Sequence, residues 1–159
     1  SVTEVFDEVE KLGSKKITIT GGEPLLQKES LIELCCLLIR NNYKVSLETN
    51  GSIPILGVPS SVAIVADYKC QNKESMEENN FLQLTEKDVV KFVVSDEKDY
   101  QVAIQMKNYI KQRSSRLPKF AFAPVHPTIN PNDLITWLVR DKEFDSILNI
   151  QLHKYIGVK

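Results

Sequence analysis

Two glycines and a glutamate follow the first apolar strand pattern of the chain, and this turn has the residue types of a ligand-binding loop. Gly21 and Gly22 let the backbone bend sharply and leave its amide and carbonyl groups open to a ligand, because glycine has no Cβ. Pro24 suits the first turn of a helix, and Glu23 suits the positive end of a helix dipole. In isolation, such a turn would more often be only a tight strand-to-helix connection.

Four further strings with polar side chains occur at or just beyond the ends of predicted strands. The carboxyl ends of parallel strands are where α/β sheets usually build their sites. Carboxylates can hold ribose hydroxyls, and Thr, Asn and Ser offer both donors and acceptors. The pattern therefore predicts a polar ligand site assembled from Glu48-Thr49-Asn50-Gly51-Ser52, Asp67-Tyr68-Lys69-Cys70, Phe122-Ala123-Pro124-Val125-His126-Pro127 and Gln151-Leu152-His153-Lys154.

The elements that must position these strings alternate between strand and helix patterns along the chain. Apolar residues at three- and four-residue steps predict helices over 2–12, 25–40, 97–112 and 131–141. Short apolar runs predict strands over 16–20, 43–48, 62–67, 89–94, 119–123 and 145–152, and the polar stretch 71–80 predicts a loop. This order indicates an α/β fold, a single domain over 1–159 with a mostly parallel sheet of about six strands.

The overall charge favours a small-molecule partner. Twenty Lys and Arg residues stand against 21 Asp and Glu residues, which gives a formal net charge of -1 and no basic field for nucleic acid. No apolar run approaches the roughly 20 residues that cross a bilayer, and the first residues lack the pattern of a signal peptide. We therefore expect a cytoplasmic protein that binds neither nucleic acid nor membrane directly.

The three cysteines do not form a disulfide framework or a zinc site by their spacing. Cys35 and Cys36 are adjacent in an apolar helix pattern and are predicted to be core residues. Cys70 ends a predicted strand, where its thiol could be exposed. A single cysteine cannot hold a four-iron cluster, so the sequence predicts no metal ligands.

The string Thr20-Gly21-Gly22-Glu23-Pro24-Leu25-Leu26, together with the strings above, resembles the radical S-adenosylmethionine superfamily, specifically the 7-carboxy-7-deazaguanine synthase family. The resemblance covers essentially the whole chain and implies a partial (β/α) barrel. It implies a lyase that uses S-adenosylmethionine, a [4Fe-4S] cluster and Mg2+. The implied reaction converts 6-carboxy-5,6,7,8-tetrahydropterin to 7-carboxy-7-deazaguanine, with loss of ammonia, for queuosine or archaeosine biosynthesis and hence tRNA modification.

The same resemblance implies which residues contact the ligands. The implied substrate contacts are Thr20, His153 and Lys159, and His126 departs from the family pattern without an interpretable role. No catalytic residue is assigned. The implied cofactor contacts are Gly21, Gly22, Glu23, Glu48, Thr49, Asn50, Ser52, Asp67, Tyr68, Lys69, Ala123, Pro124, Val125 and His126.

The cluster-binding Cys-x-x-x-Cys-x-x-Cys loop of the family has no counterpart in these 159 residues. One interpretation is an N-terminally incomplete synthase, which as printed would be inactive because it lacks the cluster and Mg2+ ligands. A second is a cluster-less module that binds a nucleotide or pterin without catalysis, and a third is an unrelated α/β domain. A truncated barrel would leave sheet edges exposed, which predicts a homodimer.

Overall fold

Six parallel strands form one sheet, and they lie in the sheet in the order in which they occur along the chain. The computed structural model describes residues 1–75 and 77–157. Its strands are β1 Lys16–Ile19, β2 Lys44–Thr49, β3 Ala63–Lys69, β4 Val89–Val94, β5 Lys119–Pro124 and β6 Ile147–Leu148.

The helices begin at residues that suit helix N-termini. Ser1 and Glu4 form a capping box, and the Asp96 and Asn130 side chains each accept a backbone N–H of the helix that follows. Short 3-10 helices occupy Pro24–Gln27 and Cys70–Ser75. The α-helices are α1 Val2–Lys11, α2 Lys28–Arg40, α3 Glu78–Phe81, α4 Glu97–Arg113, α5 Pro131–Arg140 and α6 His153–Ile156.

The two faces of the sheet differ sharply in polarity. Right-handed crossovers between sequential parallel strands place their helices on one side of a sheet, and that side holds the core. Strand residues Val45, Leu47, Ile64, Phe92 and Phe122 are buried there. The alternate strand positions face away from this core and include polar residues on β1 to β4. The result is the predicted partial barrel, with helices outside and a polar concave face inside.

A fully buried lysine fastens the last part of the sheet to the helical layer. Lys107 on α4 has a side-chain exposure of 0 % and donates to the carboxylates of Glu143 and Asp145 and to Ser146 Oγ at 2.8 Å. Lys111 also reaches Asp145, at 2.8 Å. These contacts hold the segment that leads into β6.

Several predicted boundaries were wrong. The helix expected over 25–40 starts with the 3-10 turn and becomes α-helical at Lys28. The loop expected over 71–80 contains most of a 3-10 helix and the start of α3. The strand expected over 145–152 has only two paired residues, because only 147–148 align with β5.

Cys70 is a core residue rather than an exposed thiol. Its exposure is 4 %, and burial raises the pKa of its thiol to about 12. Cys35 is also buried, as predicted, and Cys36 is half-buried. Within residues 1–75 and 77–157, none of the helices has the length and apolar character of a membrane span.

Candidate cofactor and substrate site

The glycine turn after β1 offers an open backbone surface. Gly21 has φ +96° and Gly22 has φ +55°, both in the region that disfavours other residues. A Cβ built on either glycine meets nothing within 4 Å. Backbone conformation therefore requires these glycines, and the space beside them is free for a ligand.

The carboxylate of Glu23 joins the glycine turn to the loop after β2. Glu23 Oε1 accepts from Thr49 Oγ1 at 2.9 Å and from the Leu25 amide at 3.1 Å. Glu23 Oε2 accepts from the Asn50 amide at 2.7 Å. Both carboxylate oxygens are thus used within the protein, and the two sequence strings form one unit.

Gly51 fixes the path of the loop after β2. Its φ is +74°, and a Cβ at this position would lie 2.4 Å from the Phe81 ring. The Asn80 side chain donates to the Gly51 carbonyl at 2.8 Å, and Asn50 Oδ1 accepts from the Ser52 amide at 2.9 Å. This packing positions the end of β2 against α3.

The concave face presents polar side chains from neighbouring strands. Thr20 follows β1 directly, Glu48 lies near the end of β2, and Asp67 and Lys69 lie near the end of β3. Neighbouring strands are separated by about 4.8 Å, so the strand ends form one surface. The structure therefore brings these four predicted residues to the same end of the sheet, where β1 to β3 finish.

Asp67 is a largely buried carboxylate on this face. Burial raises its pKa above the usual range, the Lys91 ammonium opposes that rise, and Glu48 adds to it. Asp67 Oδ1 lies 2.8 Å from Lys91 Nζ. Lys91 was not predicted as a site residue, although a lysine between Val90 and Phe92 in an apolar strand is the pattern of a residue facing away from the core.

A second unpredicted polar cluster closes the end of β4. Ser95 Oγ donates to Asp99 and accepts from the Gln71 side chain at 2.5 Å. The Ser95 amide also donates to Asp99, at 2.9 Å. This network connects the segment after β3 with the start of α4, and no spacing in the sequence identifies it.

The loop after β5 contacts the carboxy-terminal helix. The Val125 amide donates to the Val94 carbonyl at 2.8 Å, which extends the pairing of β4 and β5. The exposed His126 ring packs edge-on against Tyr155 of α6, with ring centroids 5.2 Å apart. His153 is exposed and is the first residue of α6, so its predicted place at the end of a strand was wrong.

Three predicted cofactor residues direct their side chains elsewhere. Tyr68 is buried on the helical side of the sheet against Phe81 and Phe92, and Thr49 and Glu23 bond to each other. Tyr68 can therefore contact a ligand on the concave face only through its backbone. The assigned roles of all the predicted contacts stay predictions, and Lys159 lies outside the described residues.

The cysteines do not form a metal site in the part of the chain that the structure describes. Cys35 and Cys70 are buried, and burial raises both thiol pKa values, against the thiolate form that binds iron. Within that part, no group of three His, Cys, Asp or Glu side chains is arranged to hold a metal ion. These residues therefore do not fit a [4Fe-4S] cluster.

The six parallel strands and their helices define a partial (β/α) barrel, and polar residues line its concave face. QueE from Escherichia coli has a similar crystal structure, with a TM-score of 0.72 and 16 % sequence identity. The match covers 95 % of this chain and 63 % of the QueE chain. At that identity the likeness establishes the fold alone.

Sequence comparison identifies the family. The chain is 34 % identical to the 7-carboxy-7-deazaguanine synthase of Koribacter versatilis, a match that covers 98 % of this chain and 75 % of that protein. It is also 34 % identical to the synthase of Clostridium acetobutylicum, over 96 % of this chain and 71 % of that protein. No protein-family profile matches the chain. The chain belongs to the 7-carboxy-7-deazaguanine synthase family, which excludes the interpretation as an unrelated α/β domain.

Proposed function

We propose that this chain provides the S-adenosylmethionine and pterin site of a 7-carboxy-7-deazaguanine synthase. The reaction is the conversion of 6-carboxy-5,6,7,8-tetrahydropterin to 7-carboxy-7-deazaguanine. The observation that supports this most is the bonding of Glu23 to Thr49 and Asn50, which joins the two binding strings into one surface in a member of this family.

The residues on the concave face, at the carboxyl ends of β1 to β3, fit S-adenosylmethionine. The open backbone at Gly21 and Gly22 suits the amino and carboxylate groups of the methionine part. Glu48 is half-buried beside Asp67, and carboxylates at such a position accept hydrogen bonds from ribose hydroxyls. When bound, S-adenosylmethionine supplies the radical that abstracts a substrate hydrogen. The protein residues hold and orient it.

The pterin is assigned to the concave face between the first and the last strand. Thr20 is exposed at the end of β1, next to the open glycine turn. His153 is exposed on α6, whose Tyr155 contacts the loop after β5. A hydroxyl and an imidazole at these positions can donate to the carbonyl or carboxylate of a pterin. Lys159 is proposed to act with them.

A [4Fe-4S] cluster and Mg2+ belong to the proposed activity of the whole protein. Because Cys35 and Cys70 are buried, Cys36 is half-buried and no group of three potential ligands occurs among the described residues, no step is assigned to a cluster on these residues. The family relation supports the cluster requirement, and Mg2+ is proposed from the resemblance alone. The product is proposed to enter deazapurine synthesis for tRNA modification.

We propose a cytoplasmic homodimer. The three cysteines are free, as is usual in a reducing compartment. Within the described sheet, β1 pairs with β2 and β6 pairs with β5, so each has one side open to another chain. Sedimentation as a monomer at micromolar concentration would contradict the dimer.

The test combines turnover with binding. The gene product as the cell makes it is purified without oxygen, reconstituted with iron and sulfide, and assayed for 7-carboxy-7-deazaguanine by mass spectrometry. In parallel, S-adenosylmethionine is titrated into the chain and into the Glu48→Gln variant. The matched control is Glu86→Gln, which removes a carboxylate from an exposed pair with Arg116 outside the proposed site.

We expect product formation, binding by the unaltered chain, weaker binding by Glu48→Gln and unchanged binding by the control. Saturable binding with no turnover would instead favour a ligand-binding module without catalysis. If Glu48→Gln bound S-adenosylmethionine as tightly as the Glu86→Gln control, Glu48 would not be part of the binding site.

A further inference from the structure

Lys91 is a charged residue in the middle of an otherwise apolar strand. Its register partner on β3 is Asp67, and the two side chains form an ion pair with Nζ and Oδ1 2.8 Å apart. The side-chain exposures are 16 % for Lys91 and 27 % for Asp67. The pair therefore lies within the concave face, largely shielded from bulk water.

The ion pair leaves hydrogen-bonding capacity unused. The contact between Lys91 and Asp67 Oδ1 is an ion pair without an aligned hydrogen bond, and this buried oxygen has no other bonded partner. Asp88 shows the opposite arrangement, since its carboxylate accepts from Lys87, from the Ile64 amide and from Thr85. The hydrogen-bonding capacity of the Asp88 carboxylate is thus used within the protein, whereas that of Asp67 is not.

The surrounding charges explain why Asp67 needs a cation. Glu48 on β2 acts on Asp67 as a like charge, and Lys69 on β3 and Lys91 on β4 act as opposite charges. Two neighbouring carboxylates in a shielded site disfavour each other's ionisation and tend to share a proton. Lys91 is the group among these that contacts Asp67 directly, so it opposes that tendency most.

We propose that Lys91 is a positioning residue of the concave site, which holds Asp67 ionised and in place so that Asp67 and Glu48 together present acceptors to the diol of a nucleoside. This role rests on the proposed function, because it assumes that S-adenosylmethionine binds at this face. Lys91 acts through Asp67 and needs no contact with the ligand.

The first experiment measures Asp67 without any ligand. The carboxyl carbon of Asp67 is followed by NMR during a pH titration of the unaltered chain, Lys91→Met and Lys91→Arg. The control is Lys98→Met, which removes an exposed lysine from α4. We expect Lys91→Met to raise the Asp67 titration midpoint by about one pH unit or more, and Lys91→Arg and the control to change it little.

An unchanged midpoint in Lys91→Met would overturn the inference. If Lys91→Met does not fold, as judged by its melting temperature, Lys91→Gln replaces it, because glutamine keeps the length and a donor but no charge. A midpoint that rises equally in Lys91→Arg would also contradict the role of charge.

The second experiment measures S-adenosylmethionine binding at two pH values, one below and one above the Asp67 titration midpoint found for Lys91→Met. We expect Lys91→Met to weaken binding about tenfold at the lower pH and less at the higher pH, where Asp67 is ionised, and Lys91→Arg to bind nearly as tightly as the unaltered chain. Binding as tight as that of the unaltered chain at both values would contradict the inference alone. Absence of binding by the unaltered chain would contradict the proposed function, and the Asp67 titration would still decide whether Lys91 controls this carboxylate.

Discussion

Two lysine–carboxylate clusters of this chain are built in opposite ways. Lys107 has a side-chain exposure of 0 % and three acceptors, on Glu143, Asp145 and Ser146. Lys91 and Asp67 share one contact on the concave face, and the buried Oδ1 of Asp67 has no other bonded partner.

The difference distinguishes a cluster that stabilises the fold from a cluster that binds a ligand. A polar cluster whose groups are all satisfied internally fixes the fold, and breaking it leaves an unpaired buried charge. A shielded cluster with unused capacity costs free energy in the absence of a partner, so it marks a surface that a ligand completes. We expect changes at Lys107 to affect stability and changes at Asp67 to affect binding.

The largest effect is expected when both carboxylates of the Lys107 cluster are neutralised. Glu143→Gln with Asp145→Asn leaves the buried ammonium without a countercharge and should lower the free energy of unfolding by about 3–5 kcal/mol. Denaturant unfolding measures this change. Lys107→Met, which removes the buried charge itself, should cost less, and a larger cost for Lys107→Met would contradict the comparison.

Glu23 is a carboxylate beside the proposed site whose two oxygens are both hydrogen-bonded within the protein. We expect its substitution to affect stability, as at the Lys107 cluster. Glu23→Gln weakens the bonds from Thr49 Oγ1 and the Asn50 amide, and we expect a loss of about 1–3 kcal/mol in unfolding free energy. Thermal and denaturant unfolding measure it. A variant of unchanged stability would show that the link between the two loops contributes little to the fold.

Asp67→Asn should give the opposite profile. We expect S-adenosylmethionine affinity to fall about tenfold, equivalent to about 1.4 kcal/mol, while unfolding free energy changes by less than about 1 kcal/mol. Titration calorimetry and denaturant unfolding provide the two values. Asp7→Asn, an exposed residue of α1, is the matched control. A loss of stability without a loss of affinity would show that Asp67 stabilises the fold and does not bind the ligand.

Acid should reveal the smallest effect, through Asp145. Hydrogen bonds from Lys107 and Lys111 lower the pKa of Asp145 from 3.8 to about 2. Because the folded pKa is below the unfolded one, this stabilisation is complete above about pH 4 and is lost as the pH falls toward 2. Unfolding measured across this range should show a shallower decline in Asp145→Asn. Parallel declines would contradict the assigned pairing.

Local patterns in the sequence predicted much of the fold and part of the site. Short apolar runs predicted β2, β3 and β4, and the glycines after β1 predicted the open turn, because both features depend on residues that are neighbours in the sequence. The end of the chain was predicted less well. The apolar run 145–152 has the composition of a strand, but pairing with β5 is limited to Ile147 and Leu148 by tertiary contacts.

The partners of individual side chains could not be predicted from the sequence. Glu23 and Thr49 are 26 positions apart, and their hydrogen bond depends on how β1 and β2 align. Lys91 and Asp67 meet only because β3 and β4 pair in one register. Alternation alone could have placed Lys91 on the concave face, whereas its partner required the sheet.

The most direct test of the family site is NMR mapping of S-adenosylmethionine on the isotope-labelled chain, with the ligand raised to millimolar concentration. We predict that the largest amide shifts occur at Gly21, Gly22, Glu48, Asn50 and Lys69, at the carboxyl ends of β1 to β3. Shifts confined to the opposite end of the sheet, around Asp88 and Arg116, or no saturable shifts at all, would contradict the assignment of the concave face as the cofactor site.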